Sequence, residues 1–192
     1  EKIIIDGVEE LTGCQHKAIP DRIIAGTFLI MAGLSPKPIK IENLVPEHMQ
    51  SVLHKLNEMN VETQVYDEHI IAFAKDELLP TKIVTGMYPE FPSDLQQPMT
   101  ILLTQANGKS SIREMVYPKR FQHCEELRKM GANITINPIG SAEIYGPCQL
   151  SGCDVSANDI RAGVSLIIAG VIAKGITTIH NCEQITRGYP MV

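Results

Sequence analysis

Residues 25–33 read AGTFLIMAG and residues 162–170 read AGVSLIIAG, identical at six of nine positions and 137 residues apart. Self-similarity of this kind announces a supersecondary unit used more than once. A weaker copy, QPMTILLTQ at residues 97–105, lies between the two. Each copy is apolar at helical spacing. Each is followed by a short strand-like run: PIKIEN at 38–43, SSIREM at 110–115 and ITTIH at 176–180. A second echo comes next. PEHMQSVLHKLNEM (46–59) and PKRFQHCEELRKM (118–130) both open with proline, which suits the first turn of a helix. Each runs into a strand pair, from Val61 and from Ala132, with turn residues at Asp67-Glu68 and at 138–141.

With lead-in strands around residues 81–86 and 153–157, the unit is βαβαββ, recurring roughly every 70 residues. The fold class is α/β. The strand–helix–strand halves imply parallel, right-handed crossovers, and the terminal strand pairs imply hairpins, so the sheets are mixed. Two units are expected to be complete. The third stops after its first helix and strand, with Pro190 standing where Pro46 and Pro118 open the second helices of the other units. The expected organisation is a strand segment at residues 1–18 and one lobe over 19–192, truncated at its C-terminal end.

Of the 192 residues 44% are apolar and 20% charged, with a net charge of -5. That balance excludes disorder and a duplex-binding surface, which needs clustered Lys and Arg. No apolar run is long enough to span a membrane. The five cysteines, Cys14, Cys124, Cys148, Cys153 and Cys182, are odd in number and lack zinc spacing, and the six histidines form no ligand pattern. They read as free thiols and scattered side chains, with no metal and no cofactor implied.

The polar residues ahead of the apolar helices carry the chemistry. They are Asp21-Arg22, Ser93-Asp94 and Asp159-Ile160-Arg161. The acids fit helix caps. Arg22 and Arg161 do not fit, because a cation in the first turn opposes the helix dipole. With Arg120 and Arg187 at or near the second helix starts, the repeat gathers four arginines around Asp21, Asp94 and Asp159. Such a cluster is either a set of capped helices or an anion site with an aspartate available as a base.

The strings IPDRIIAGTFLIMAG (19–33), YPEFPSDLQQPMT (88–100), KRFQHCEELRKMGA (119–132), ANDIRAGVSLIIAG (157–170) and TRGY (186–189) cover nearly the whole chain. In this order they resemble the UDP-N-acetylglucosamine enolpyruvyl transferase family of the enolpyruvyl transferase superfamily. The resemblance implies a lobe of an inside-out α/β barrel, helices within and sheets outside. It implies transfer of the enolpyruvyl group of phosphoenolpyruvate to the 3′-hydroxyl of UDP-N-acetylglucosamine, in bacterial cytoplasm, as the first committed step of peptidoglycan synthesis. Asp94 matches the family's aspartate beside that hydroxyl, and Ser93 stands where many relatives carry Thr. Val116 matches a backbone contact to the UDP-sugar. Arg120 and Arg187 match arginines that meet phosphoenolpyruvate, Asp159 and Arg161 a charged pair lining the cleft, and Asp21 and Arg22 a pair at its edge. The family's fosfomycin-reactive cysteine belongs to the other lobe, so none of the five cysteines is nominated and the chain is expected to hold half a site. A non-catalytic UDP-sugar-binding paralogue and the shikimate-pathway transferase are the alternatives.

Overall fold

The segment QQPMTILLT, Gln96–Thr104, is a helix buried at every one of its nine residues. Pro98 sits in its first turn, where the amide has no intrahelical partner to lose. The computed structural model describes residues 2–189, and this helix lies at its centre. In chain order the elements are α1 (Arg22–Ala32), β1 (Ile39–Glu42), a 3-10 turn at Pro46–Met49 running into α2 (Gln50–Glu58), β2 (Val61–Val65) and β3 (His69–Ala74). There follow β4 (Lys82–Gly86), the short β5 (Phe91–Pro92), a 3-10 turn at Ser93–Leu95, α3 (Gln96–Thr104), β6 (Gly108–Arg113), α4 (Gln122–Lys129), β7 (Asn133–Asn137) and β8 (Ser141–Gly146). The last are β9 (Asp154–Ser156), α5 (Ile160–Ile172), β10 (Thr178–His180) and a 3-10 turn at Cys182–Arg187.

The second unit is complete. Its sheet runs β5-β4-β6-β8-β7, with β4 and β6 parallel across the α3 crossover and β8 antiparallel to both β6 and β7. The third shows the same parallel crossover, β9 with β10 around α5. The first corrects the expectation of two complete units. Its sheet is β1-β3-β2, equivalent to β6-β8-β7, and among the described residues nothing pairs with the outer edge of β1 where a lead-in strand would lie. Residues 2–18, expected as a strand, form none. A strand exists through a neighbour's ladder, and here Ile3, Ile4 and Ile5 stand exposed without one. Pro190, expected at a helix start, lies outside the described residues.

The two matching apolar segments are both buried helices, but they do not lie side by side. α3 is interposed and packs along both α1 and α5. The shared glycines explain the identity of the segments. A Cβ on Gly26 would stand 2.4 Å from Leu95 Cδ1, and one on Gly163 would stand 2.4 Å from Ile185 Cγ1. Leu95 and Ile185 are themselves buried and have little room to yield. Gly26→Ala and Gly163→Ala are therefore expected to lower stability by about 1–3 kcal/mol through overpacking, although alanine is the better helix former by about 1 kcal/mol. A shift of the denaturant midpoint to lower concentration is the check, and a shift to higher concentration contradicts the close packing.

His123 on α4 is fully buried beneath α3. The Thr100 hydroxyl gives its own hydrogen to the Gln96 carbonyl at 2.9 Å, so it accepts from His123 Nε2 at 3.1 Å. His123 Nδ1 has no partner among the described residues. Burial pushes this imidazole down to about 3, with Asp159 opposing and Arg120 assisting. Once unfolded it takes a proton near 6.5. Below that value the unfolded chain holds the extra proton, so stability falls as pH drops from about 6.5 toward 3, by up to about 1.4 kcal/mol per pH unit. Urea titrations at pH 7, 6 and 5 should show this slope in the native chain and its loss in His123→Asn.

Candidate active site

The three apolar helices begin in two different ways. Asp21 caps α1, its Oδ1 accepting from the amides of Ile23 and Ile24 at 2.7 and 3.2 Å. Asp159 caps α5, its Oδ1 accepting from the amides of Arg161 and Ala162 at 2.7 and 2.9 Å. These are ordinary N-caps. α3 is entered instead through the 3-10 turn Ser93–Leu95, and neither turn nor helix has a side-chain cap. The Asp94 carboxylate is thus free of backbone duty. Its Oδ1 lies 2.5 Å from Arg120 Nη1 and its Oδ2 3.6 Å from Arg161 Nη2. The capping account holds for Asp21 and Asp159 and fails for Asp94.

Each arginine is held by a further group. Arg120 Nη1 also donates to Ser93 Oγ at 3.3 Å. Ser93 in turn donates to Glu114 Oε2 at 3.0 Å. Arg161 Nη1 donates to the Tyr189 hydroxyl at 3.1 Å, and its guanidinium stands 5.6 Å from that ring's centroid. Thr27 spends its hydroxyl hydrogen on the Ile23 carbonyl at 2.9 Å, so it accepts from Tyr189 at 2.8 Å. Tyr189 is buried and ties α1, α5 and the end of the described chain together. It belongs to the TRGY string but carried no assigned role in the sequence. Glu114 and Gln97 were missed altogether.

Asp159 joins the cluster through Gln97, whose Nε2 donates to its Oδ2 at 3.1 Å. Burial alone would raise its carboxyl. The Ala162 amide, the Gln97 side chain, the Arg161 amide and the nearby Arg120 charge together hold it below the usual carboxylate range. It is a fixed anion, better suited to orienting its neighbours than to taking a proton. Cys124 is buried, which pushes its thiol up to about 12 and leaves it a core residue.

The expected gathering of four arginines is only half met. Arg22 lies with its guanidinium 5.2 Å from the Tyr88 ring centroid, a cation–π contact, and makes no ion pair with Asp94. Asp21 caps α1 and makes no ion pair among the described residues. Arg187 ends the 3-10 turn Cys182–Arg187, exposed, with no ion pair among the described residues. The next residue, Gly188, does pass beside Arg161, since a Cβ built on it would lie 3.7 Å from Arg161 Nη1. Val116 is half-exposed, and its amide already donates to Glu114 Oε1 at 2.9 Å, so its carbonyl is the backbone group left to offer. The Asp94 carboxylate is 41% exposed. The cluster therefore lines an open surface. Two cavities of about 600 and 650 Å³ lie elsewhere, beside residues 18–20 and β1. Positive groups around one half-exposed carboxylate can bind an anion and place a proton acceptor next to it.

The chain is similar to three curated proteins named UDP-N-acetylglucosamine 1-carboxyvinyltransferase 2. It is 46% identical to that of Geobacillus kaustophilus over 97% of this chain, 47% to that of Bacillus subtilis over 97%, and 45% to that of Listeria monocytogenes over 100%. It spans only 44–45% of the length of each. Among solved structures it superposes on the enolpyruvyl transferase NikO of Streptomyces tendae with a TM-score of 0.80 and 28% identity, covering 90% of this chain and 41% of that one. The EPSP synthase of Acinetobacter baumannii shares the fold, with a TM-score of 0.66 at 16% identity over 85% of this chain and 39% of that one. The family model of EPSP synthase (3-phosphoshikimate 1-carboxyvinyltransferase) matches residues 1–192, and the chain belongs to that family of enolpyruvyl transferases.

Proposed function

We propose that the whole protein transfers the enolpyruvyl group of phosphoenolpyruvate to the 3′-hydroxyl of UDP-N-acetylglucosamine, and that this chain supplies one wall of the site. The observation that carries the reading is the Asp94 carboxylate, uncapped at a helix start and set between Arg120 and Arg161. The names borne by relatives at 45–47% identity support the choice of substrates. Asp94 takes the proton of the attacking hydroxyl, with Oδ2 the less tightly held oxygen. Arg120, Arg161 and Arg187 neutralise the phosphate and carboxylate as the tetrahedral intermediate forms, and Asp159 keeps Arg161 and Gln97 in place. Ser93 orients Arg120, the Val116 carbonyl meets the sugar nucleotide, and Asp21 and Arg22 border the cleft near a second lobe. That lobe carries the remaining groups, including the cysteine that fosfomycin alkylates. The reaction belongs to peptidoglycan synthesis in the bacterial cytoplasm, and so to cell-wall biogenesis, cell shape and division.

Half a site lacks both orientation and water exclusion. The 192-residue chain alone should release no phosphate from the two substrates above background, and mass spectrometry should find no fosfomycin adduct on it. In the full-length protein, Asp94→Asn should lower kcat by about 10²–10⁴-fold while the KM for the sugar nucleotide changes little. Because Asp94 caps no helix, a lost cap does not explain such a fall. A folded variant with near-normal turnover removes Asp94 from the mechanism. Arg187→Ala should instead raise the KM for phosphoenolpyruvate, at a cost of about 2–5 kcal/mol if the contact is desolvated.

A further inference from the structure

Glu114 is 2% exposed and makes no ion pair among the described residues. Its two oxygens accept from four neutral donors. Oε1 takes the Thr85 hydroxyl at 2.7 Å and the amides of Val116 and Tyr117 at 2.9 and 3.0 Å. Oε2 takes the Ser93 hydroxyl at 3.0 Å. A buried carboxylate is costly unless its lone pairs are filled, and this one has them filled by three different segments: the end of β4, the turn before α3, and the loop that carries Arg120.

The repeat supplies the contrast. Where the first and third units end the equivalent strands, they carry Asn43 and Asn181, exposed, with φ of 54° and 60°. An asparagine in the left-handed region turns the chain with no network. The second unit turns the chain at the same place with a buried glutamate, so turning the chain does not account for it.

We infer that Glu114 is a positioning residue for the transfer, acting through Ser93 to hold the Arg120 guanidinium on Asp94. The inference rests on the function proposed above. An ionised carboxylate only accepts hydrogen bonds. Ser93 must therefore direct its hydrogen to Glu114, and its lone pairs are left for Arg120 Nη1. The donor order is fixed in one direction, from Arg120 to Ser93 to Glu114.

Glu114→Gln in the full-length protein tests this with little change of shape. The amide oxygen keeps Thr85 and the two backbone amides, while the new NH₂ faces Ser93 and turns its hydrogen away, toward the arginine's own donor. The expected result is a melting temperature close to the parent's and a kcat/KM for phosphoenolpyruvate lower by about tenfold. Ser93→Ala should lose a similar factor, the double variant no more than either single, and Ser93→Thr should restore the parent rate. Parental kcat/KM in Glu114→Gln, or losses that multiply in the double variant, overturn the inference. If Glu114→Gln does not fold, the Ser93 pair decides: Ser93→Ala impaired with Ser93→Thr normal upholds the link, and Ser93→Ala normal overturns it. If the parent protein turns over neither substrate, the functional reading fails by itself. Side-chain ¹⁵N resonances of Arg120 then judge the link: Glu114→Gln must move them as Ser93→Ala does, and unmoved resonances overturn it.

Discussion

The complete burial of α3 between α1 and α5 is the constraint on which the rest depends. A helix with no exposed residue cannot rotate or slide without opening voids on every side, and close-packed interiors resist that strongly. Gly26 permits the approach of α3 to α1 by offering no Cβ where Leu95 must sit, and Gly163 does the same on α5 for Ile185 of the turn Cys182–Arg187. Leu95 is the residue after Asp94, so helix packing and the placement of the carboxylate are one event. The polar residues of the core are drawn into the same layer. Thr100 on α3 satisfies one nitrogen of His123, and Gln97 on α3 reaches Asp159 on α5.

The cluster at the helix starts is then governed by hydrogen-bond direction more than by charge. Arg120 and Arg161 approach the same carboxylate from two elements. Each has a second acceptor that limits its rotation: Ser93 for the first, Tyr189 for the second. Each acceptor has in turn committed its own hydrogen elsewhere, to Glu114 and to Thr27. A guanidinium donates only, so such chains have one polarity and one geometry. Preorganisation of this kind is what electrostatic stabilisation of a developing charge requires.

Much of this was legible in the residues. Apolar periodicity and the near-identity of residues 25–33 and 162–170 located α1 and α5, and the weaker copy located α3. The hairpins and the parallel crossovers followed from the same unit. That α3 separates α1 from α5 is not legible in the repeat, because similarity between two segments carries no information about which third segment lies between them. The strand segment expected at residues 1–18 does not form over the described residues 2–18, because strand formation depends on a partner edge that sequence does not display. Asp21 and Asp159 read correctly as caps. That Asp94 is not one turns on a single 3-10 turn, below the resolution of spacing rules. Arg22 was drawn to the cluster by its place in the repeat, but Tyr88 holds it aside.

The repeat carries a signal for Glu114. A repeat is most informative where its copies disagree. The second unit departs from the other two in releasing its aspartate from the helix cap, and in replacing a left-handed asparagine with a buried glutamate. The two departures lie in different loops, yet they meet at Ser93, which touches both Glu114 and the arginine on Asp94. Folding requirements are shared by all three units and are met in the other two without either device. The convergence of both departures on one hydroxyl therefore marks where this chain answers to a demand beyond folding.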